Sequence, residues 1–196
     1  MIGVDIGIKD FVTLSTGEKV KQPKRIKQQR SKLRRVQKAL SRKKKGSNNR
    51  AKARLKVARI HQRTTEIRKD FLHKLSTRLI RENQTVGIED LNVSGMVKNR
   101  KLARAISEQG WREFRTMLEY KADWYGREIQ VADRFFPSSK LCSNCGEKNS
   151  GLTLSHRKWK CRECDTIHDR DVNAAINLTV GRTVTACGEG VRPEVL

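Results

Sequence analysis

The chain has 196 residues, with 44 Lys and Arg against 21 Asp and Glu, a net charge of +23, 5% aromatic residues and five cysteines. That length holds one moderate core with a small satellite module and excludes a large multidomain enzyme. No apolar run approaches the ~20 residues that cross a bilayer, and the first residues carry neither a basic nor a long apolar signal region, so a soluble cytoplasmic or nucleoid-associated protein with no membrane partner is expected.

Ile2–Gly7 reads as a short buried strand with Asp5 at its middle, where a carboxylate is costly unless it is paired or holds a metal. Phe11–Leu14 is a second strand that reaches a turn at 15–17, and 18–21 a third. The charge then concentrates. Residues 21–70 carry 21 Lys and Arg against two acids, Glu66 and Asp70, which is +19 of the total +23. Apolar residues recur there at helical intervals, Leu33, Val36 and Leu40 and then Leu55, Ile60, Ile67, Phe71, Leu75 and Leu79, with turn chemistry between them at 46–49. Residues 22–83 are therefore predicted to form an inserted helical hairpin. Its narrow apolar stripe would pack on the body of the protein, while Arg25, Arg34, Arg35, Lys43, Lys44, Lys45, Arg50 and Arg54 face solvent as a nucleic-acid-binding surface. Such a surface follows a phosphate backbone by charge, with little base reading and steep salt dependence. The bland alternative is a solvated helix pair or a disordered basic tract.

Thr85–Glu89 reads as a further strand, residues 92–101 as a loop, and the periodic Leu102, Ile106, Trp111, Phe114, Leu118 and Tyr125 as one helix of about 20 residues. Glu128–Asp133 alternates as a strand should. The element order predicts an α/β fold with insertions. Its discontinuous core spans 1–21, 84–137 and 169–182, and a tail occupies 183–196.

The sharpest motif is C-x2-C-x15-C-x2-C, formed by Cys142, Cys145, Cys161 and Cys164. Two tight turns that aim four thiolates at one point satisfy a tetrahedral Zn²⁺ and leave no position for substrate water, so one structural zinc ribbon is assigned to 138–168. His156 and His168 lie nearby but are not needed as ligands, and Cys187 is expected to be an ordinary free thiol.

Asp171 stands at the start of an apolar helix, where a carboxylate is ordinary capping chemistry. Asp5 on the first strand, Glu89 at a later strand end and Asp171 could instead converge at one sheet edge. Repulsion there would call for divalent cations, and Mg²⁺ with oxygen ligands suits the set. A pair of such ions would activate water for phosphodiester hydrolysis. Separate cap and loop roles for the three acids remain the alternative.

GVDIG at 3–7, GIEDLNVSGM at 87–96, FPSSKLCSNCG at 136–146, CRECDTIHDRDVNAAINL at 161–178 and the tail ACGEGVRP at 186–193 resemble the C-terminal part of the TnpB, or OrfB-type, proteins of bacterial insertion sequences, relatives of type V CRISPR effectors. The likeness spans essentially the whole chain. It implies a RuvC-like, RNase H-like mixed sheet with flanking helices, interrupted by a zinc ribbon, and a metal-dependent endonuclease of transposable elements. It further implies that Asp5, Glu89 and Asp171, rather than the neighbouring Asp169, are the catalytic acids holding Mg²⁺, two ions in number with Mn²⁺ as a substitute. DNA is the implied partner, with a guide RNA in full-length family members. In that family, guide and target contacts come largely from a region before the first acidic motif. Met1 lies four residues before Asp5, so the resemblance implies a truncated copy, either active or a nonenzymatic nucleic-acid-binding remnant.

Overall fold

A computed structural model describes residues 1–153 and 155–179. The expected tail and Cys187 lie outside the described residues. The chain divides into two units, residues 22–76 and the remainder.

The smaller unit contains α1 (Lys24–Ser41) and most of α2 (Asn48–Glu82), which match the expected hairpin. Gly46 takes a φ of 80° in the connection, and Ser47 caps the second helix by accepting from the Arg50 N–H at 3.2 Å. One stripe position differs. Leu55 is 56% exposed, and the half-buried face runs through Ala53, Val57, Ile60, Thr64 and Ile67, a 4-3-4-3 spacing that leaves Leu55 off the face.

In the larger unit, β1 (Ile2–Ile6), β2 (Val12–Leu14) and β3 (Lys19–Val20) form an antiparallel meander, with Gly17 taking the positive φ of its turn. β4 (Thr85–Glu89) and β5 (Glu128–Ala132) extend the sheet in the order β3-β2-β1-β4-β5. Both of these added pairings are parallel, β4 on β1 and β5 on β4. The fold is thus mixed α/β, as the element order predicted. Val4, Val12, Val86 and Ile88 are buried on one face, and β2 and β4 are buried at consecutive positions because both faces of the sheet are covered. Phe11 and Phe114 meet edge to face at 5.2 Å within the core.

The segment expected as one helix after the loop is two, α4 (Ala103–Gln109) and α5 (Trp111–Tyr125), following a one-turn α3 (Val93–Met96) inside the expected loop. The break falls at Gly110, whose φ of 75° is left-handed and cannot continue a helix. The apolar period carries across this break, which is why the pattern alone read it as continuous. α3 forms because the Asn92 side chain accepts a hydrogen bond from the Gly95 N–H at 3.0 Å. β6 (Lys158–Lys160) and β7 (Ile167–Asp169) make a separate two-stranded hairpin, and α6 (Arg170–Thr179) follows it directly. No helix among the described residues is long and apolar enough to cross a membrane.

Candidate nuclease and zinc sites

The carboxylate site begins with two glycines. Gly3 and Gly87 are paired in register on β1 and β4. A Cβ built on Gly3 would lie 1.8 Å from the Ala175 carbonyl oxygen, and one on Gly87 2.0 Å from that of Leu178. Helix α6 therefore lies against the backbone of both strands, at a distance only glycine allows. Side chains alternate along a strand, so two residues further on, Asp5 and Glu89 stand on this same face at the C-terminal edge of the parallel pair. Asp171 is one turn before Ala175 and lies at the end of α6 nearest that edge. The chain thus brings its three predicted acids to one region.

Their electrostatics agree. Burial, and then the nearby Glu89 and Asp171 carboxylates, push the Asp5 carboxyl well above its usual range, while Arg170 and Lys19 pull it down. Burial also raises Glu89, against the pull of a hydrogen bond from the Ser138 hydroxyl. Asp171 is held by Arg170 at 3.1 Å and Arg157 at 3.4 Å.

The helix cap is Asp169 and not Asp171. Its Oδ1 accepts from the Asp171 and Val172 N–H groups, both at 3.2 Å, and its Oδ2 pairs with Lys19 at 2.7 Å. That pairing holds the Asp169 carboxyl below its usual value even though burial pushes it up. Capping, the bland reading of Asp171, belongs to its neighbour.

Sequence reasoning missed the residues that tie this site together. The Ser138 carbonyl accepts from Asn177 Nδ2 at 2.7 Å and Asn173 Nδ2 at 3.4 Å, and the Leu141 carbonyl accepts from both amides at 2.7 Å. Asn173 Oδ1 in turn accepts from the Ser143 N–H at 3.0 Å. Asn173 and Asn177, four apart on α6, thereby lock the helix that carries Asp171 to the segment leading into the first cysteine pair. Their i, i+4 spacing on an otherwise apolar helix was the one available signal.

The four cysteines gather as predicted, with all ligand atoms within 4.8 Å of one another. Cys142 and Cys164 sulfurs lie 3.6 Å apart, as do those of Cys145 and Cys161. A tetrahedron with Zn–S bonds of ~2.3 Å has S···S edges of about 3.8 Å, so the set fits Zn²⁺. Hydrogen bonds from Thr166 and then Asn144 hold the Cys164 thiol down to about 5. Burial raises Cys142 and, against the Glu147 backbone hydrogen bond, burial and the neighbouring thiols push Cys145 up to about 12, so a metal binding here displaces protons from the cluster. His168 is not a fifth ligand. It is buried against Trp159, with Nε2 3.1 Å from Cys142 Sγ, placed to donate to that sulfur. Among the described residues this is the one acid, histidine or cysteine group gathered so tightly, and the three carboxylates are spread more widely.

Of the eight basic residues singled out, Arg25, Arg34, Arg35, Lys43, Lys44, Lys45 and Arg54 are exposed. Arg50 is half-buried, and its guanidinium donates to the Leu40 and Lys43 carbonyls at 3.2 and 3.1 Å, closing the turn of the hairpin.

A mixed sheet crossed by a helix, with a four-cysteine ribbon stitched to that helix, places this chain among ribbon-bearing α/β proteins. Residues 1–100 match the OrfB_IS605 family, described as "Probable transposase", and residues 111–178 the Cas12f1-like TNB domain. The chain belongs to this OrfB, or TnpB, family. It is 59% identical over 98% of its length to a "Putative RNA-guided DNA endonuclease" of Streptomyces pristinaespiralis, covering 48% of that protein. It is also 36% identical over 98% of its length to the similarly named InsQ of Escherichia coli K12, covering 52% of it. The chain spans about half the length of these relatives. Its fold resembles that of the protein in a cryo-EM structure of the Cas12f1–sgRNA–target DNA complex, with a TM-score of 0.63 and 18% identity over 91% of this chain and 49% of the other.

Proposed function

We propose that the chain is the RuvC-like, RNase H-like nuclease body of a transposon-encoded, TnpB-type endonuclease that hydrolyses DNA phosphodiester bonds. The observation that carries this reading is the convergence of Asp5, Glu89 and Asp171 on the α6 face, where burial and then the charge of the latter two raise the Asp5 carboxyl. Burial disfavours the charged forms of Asp5 and Glu89, and with Asp171 beside them they make a hard oxygen donor set, which fits Mg²⁺ or Mn²⁺. Asp5, Glu89 and Asp171 would hold two such ions, which supply the acidity that activates a water and stabilises a leaving oxygen. Around them, Ser138 orients Glu89, Arg170 and Arg157 orient Asp171, and Asp169 with Lys19 fixes the start of α6. The exposed basic face of the hairpin would bind the nucleic-acid backbone without reading sequence. The relatives' names make a guide RNA the partner to test beside DNA.

The test is cleavage of single- and double-stranded DNA by the purified chain with Mg²⁺ or Mn²⁺ and with EDTA, beside Asp5→Ala. Metal-dependent products that vanish in the variant are expected. Tight, salt-sensitive binding with no metal-dependent turnover would overturn the nuclease reading and leave a nucleic-acid-binding remnant.

A further inference from the structure

Phe135 is the most exposed large apolar side chain among the described residues, at 87%. Leaving a phenylalanine in water forgoes the ~1.5–3 kcal/mol that burying it would return, and here the backbone that carries it is fixed. The Phe135 N–H donates to Asp133 Oδ1 at 2.8 Å, and the Phe136 N–H donates to the Asp133 carbonyl at 3.0 Å. The next N–H turn, Ser138 to the Phe136 carbonyl, closes at 2.8 Å, and Arg134 is anchored on Asp90 at 2.6 Å. The ring therefore projects from a fixed turn between two braced neighbours.

This turn borders a cleft of about 410 Å³ that reaches Glu89, and Arg134 and Phe136, on either side of Phe135, both line it. Lys140 and Lys148 line the same cleft and have no ion-pair partner among the described residues. An exposed aromatic ring on a fixed turn, beside a cleft with two uncommitted ammonium groups and an adjacent acid site, matches a strand with its bases unpaired. The ring accepts a base face, and the lysines accept phosphates. Duplex DNA offers no free base face to such a ring.

We infer that Phe135 is a base-stacking platform, and Lys140 and Lys148 phosphate contacts, for a single strand leading toward Glu89. The inference rests on the nuclease reading only for the direction in which the strand runs. Stacking makes Phe135 indifferent to sequence, because every base has a π face.

The test is equilibrium binding in EDTA of a short labelled single-stranded DNA, of the same strand bearing abasic sites, and of the corresponding duplex. Phe135→Ala should weaken binding of the intact strand about 5- to 150-fold. It should leave the abasic strand and the duplex unchanged, and Phe135→Trp should restore the loss. Lys140→Gln and Lys148→Gln should weaken both single strands alike and lower the salt dependence of binding. Equal effects of Phe135→Ala on intact and abasic strands, or none on either, would overturn the inference. Because binding is read without metal, a stacking effect in a protein that cuts nothing overturns only the nuclease reading, and cleavage without a stacking effect overturns only this one.

Discussion

Gly3 and Ala175 meet backbone to backbone: a Cβ on the glycine would stand 1.8 Å from the alanine's carbonyl oxygen, closer than any real contact. Neither partner is a flexible side chain that could yield. Gly3→Ala must push α6 off the sheet, and overpacking of this kind costs about 3 kcal/mol, a fall in Tm of roughly 6–12 °C at this chain length. Because α6 carries Asp171, metal-dependent cleavage should fall further than stability does. Thermal melts and cleavage rates of Gly3→Ala beside Gly151→Ala, whose Cβ would make only an ordinary contact at 3.5 Å with Asn149 Oδ1, check both effects.

Asp5→Asn should stabilise the metal-free protein at neutral pH. The folded-state pKa of Asp5 is raised above its ordinary value, so its ionisation opposes folding. This opposition is absent below the ordinary aspartate pKa, grows as pH rises through the raised one, and is complete above it. The Tm gain should be about 2–4 °C for each kcal/mol of relieved repulsion and should vanish in acid. Added Mg²⁺ should raise the Tm of the parent protein and not of the variant. Melting curves across pH, with and without the metal, read all three.

Ser138→Ala removes the hydroxyl that pulls the Glu89 carboxyl down against burial. The Glu89 pKa then rises, so the acid limb of the cleavage profile should move to higher pH, and Ser138→Thr should hold it in place. Rates measured across pH at saturating Mg²⁺ check this. An unshifted profile would show that the hydroxyl does not govern Glu89.

Cys161→Ser should lower bound zinc from one per chain to none by elemental analysis, and chelation should lower the Tm of the parent protein. Cys187→Ser should leave the zinc content unchanged.

In the hairpin, replacing Lys43, Lys44 and Lys45 by Gln should reduce the slope of log affinity against log salt by up to ~0.9 for each duplex phosphate that these lysines neutralise. Arg50→Gln should leave that slope largely intact and cost about 1 kcal/mol of stability instead, since its guanidinium is committed to the Leu40 and Lys43 carbonyls. Salt titrations and melts of the two variants separate the roles.

Local chemistry was readable in the sequence. The cysteine spacing is itself the geometry of two tight turns, and short apolar runs, alternation and helical period located the five strands of the larger sheet, the hairpin and α6, though not β6 and β7. What escaped was set by contacts between distant positions. Glu89 and Ser138 are 49 residues apart, and Ser138 and Asn177 are 39 apart. Nothing local to Gly3 or Gly87 announces that a helix some 90 or more residues downstream will lie on them. Arg50 looked like one more solvent cation because its acceptors are carbonyls, which every residue has. Gly110 was overlooked because apolar period reports a face and is blind to a left-handed residue within it.

The three carboxylates come from the first strand, the fourth strand and the last described helix, at positions 5, 89 and 171. Synthesis proceeds from the N-terminus, and the cation-rich hairpin is made well before α6. On the proposed function, a growing chain therefore acquires its nucleic-acid-binding surface first and its complete acid set last. On that reading the ordering of parts along the gene would act as a delay, with an unfinished chain able to hold DNA or RNA before it could cut.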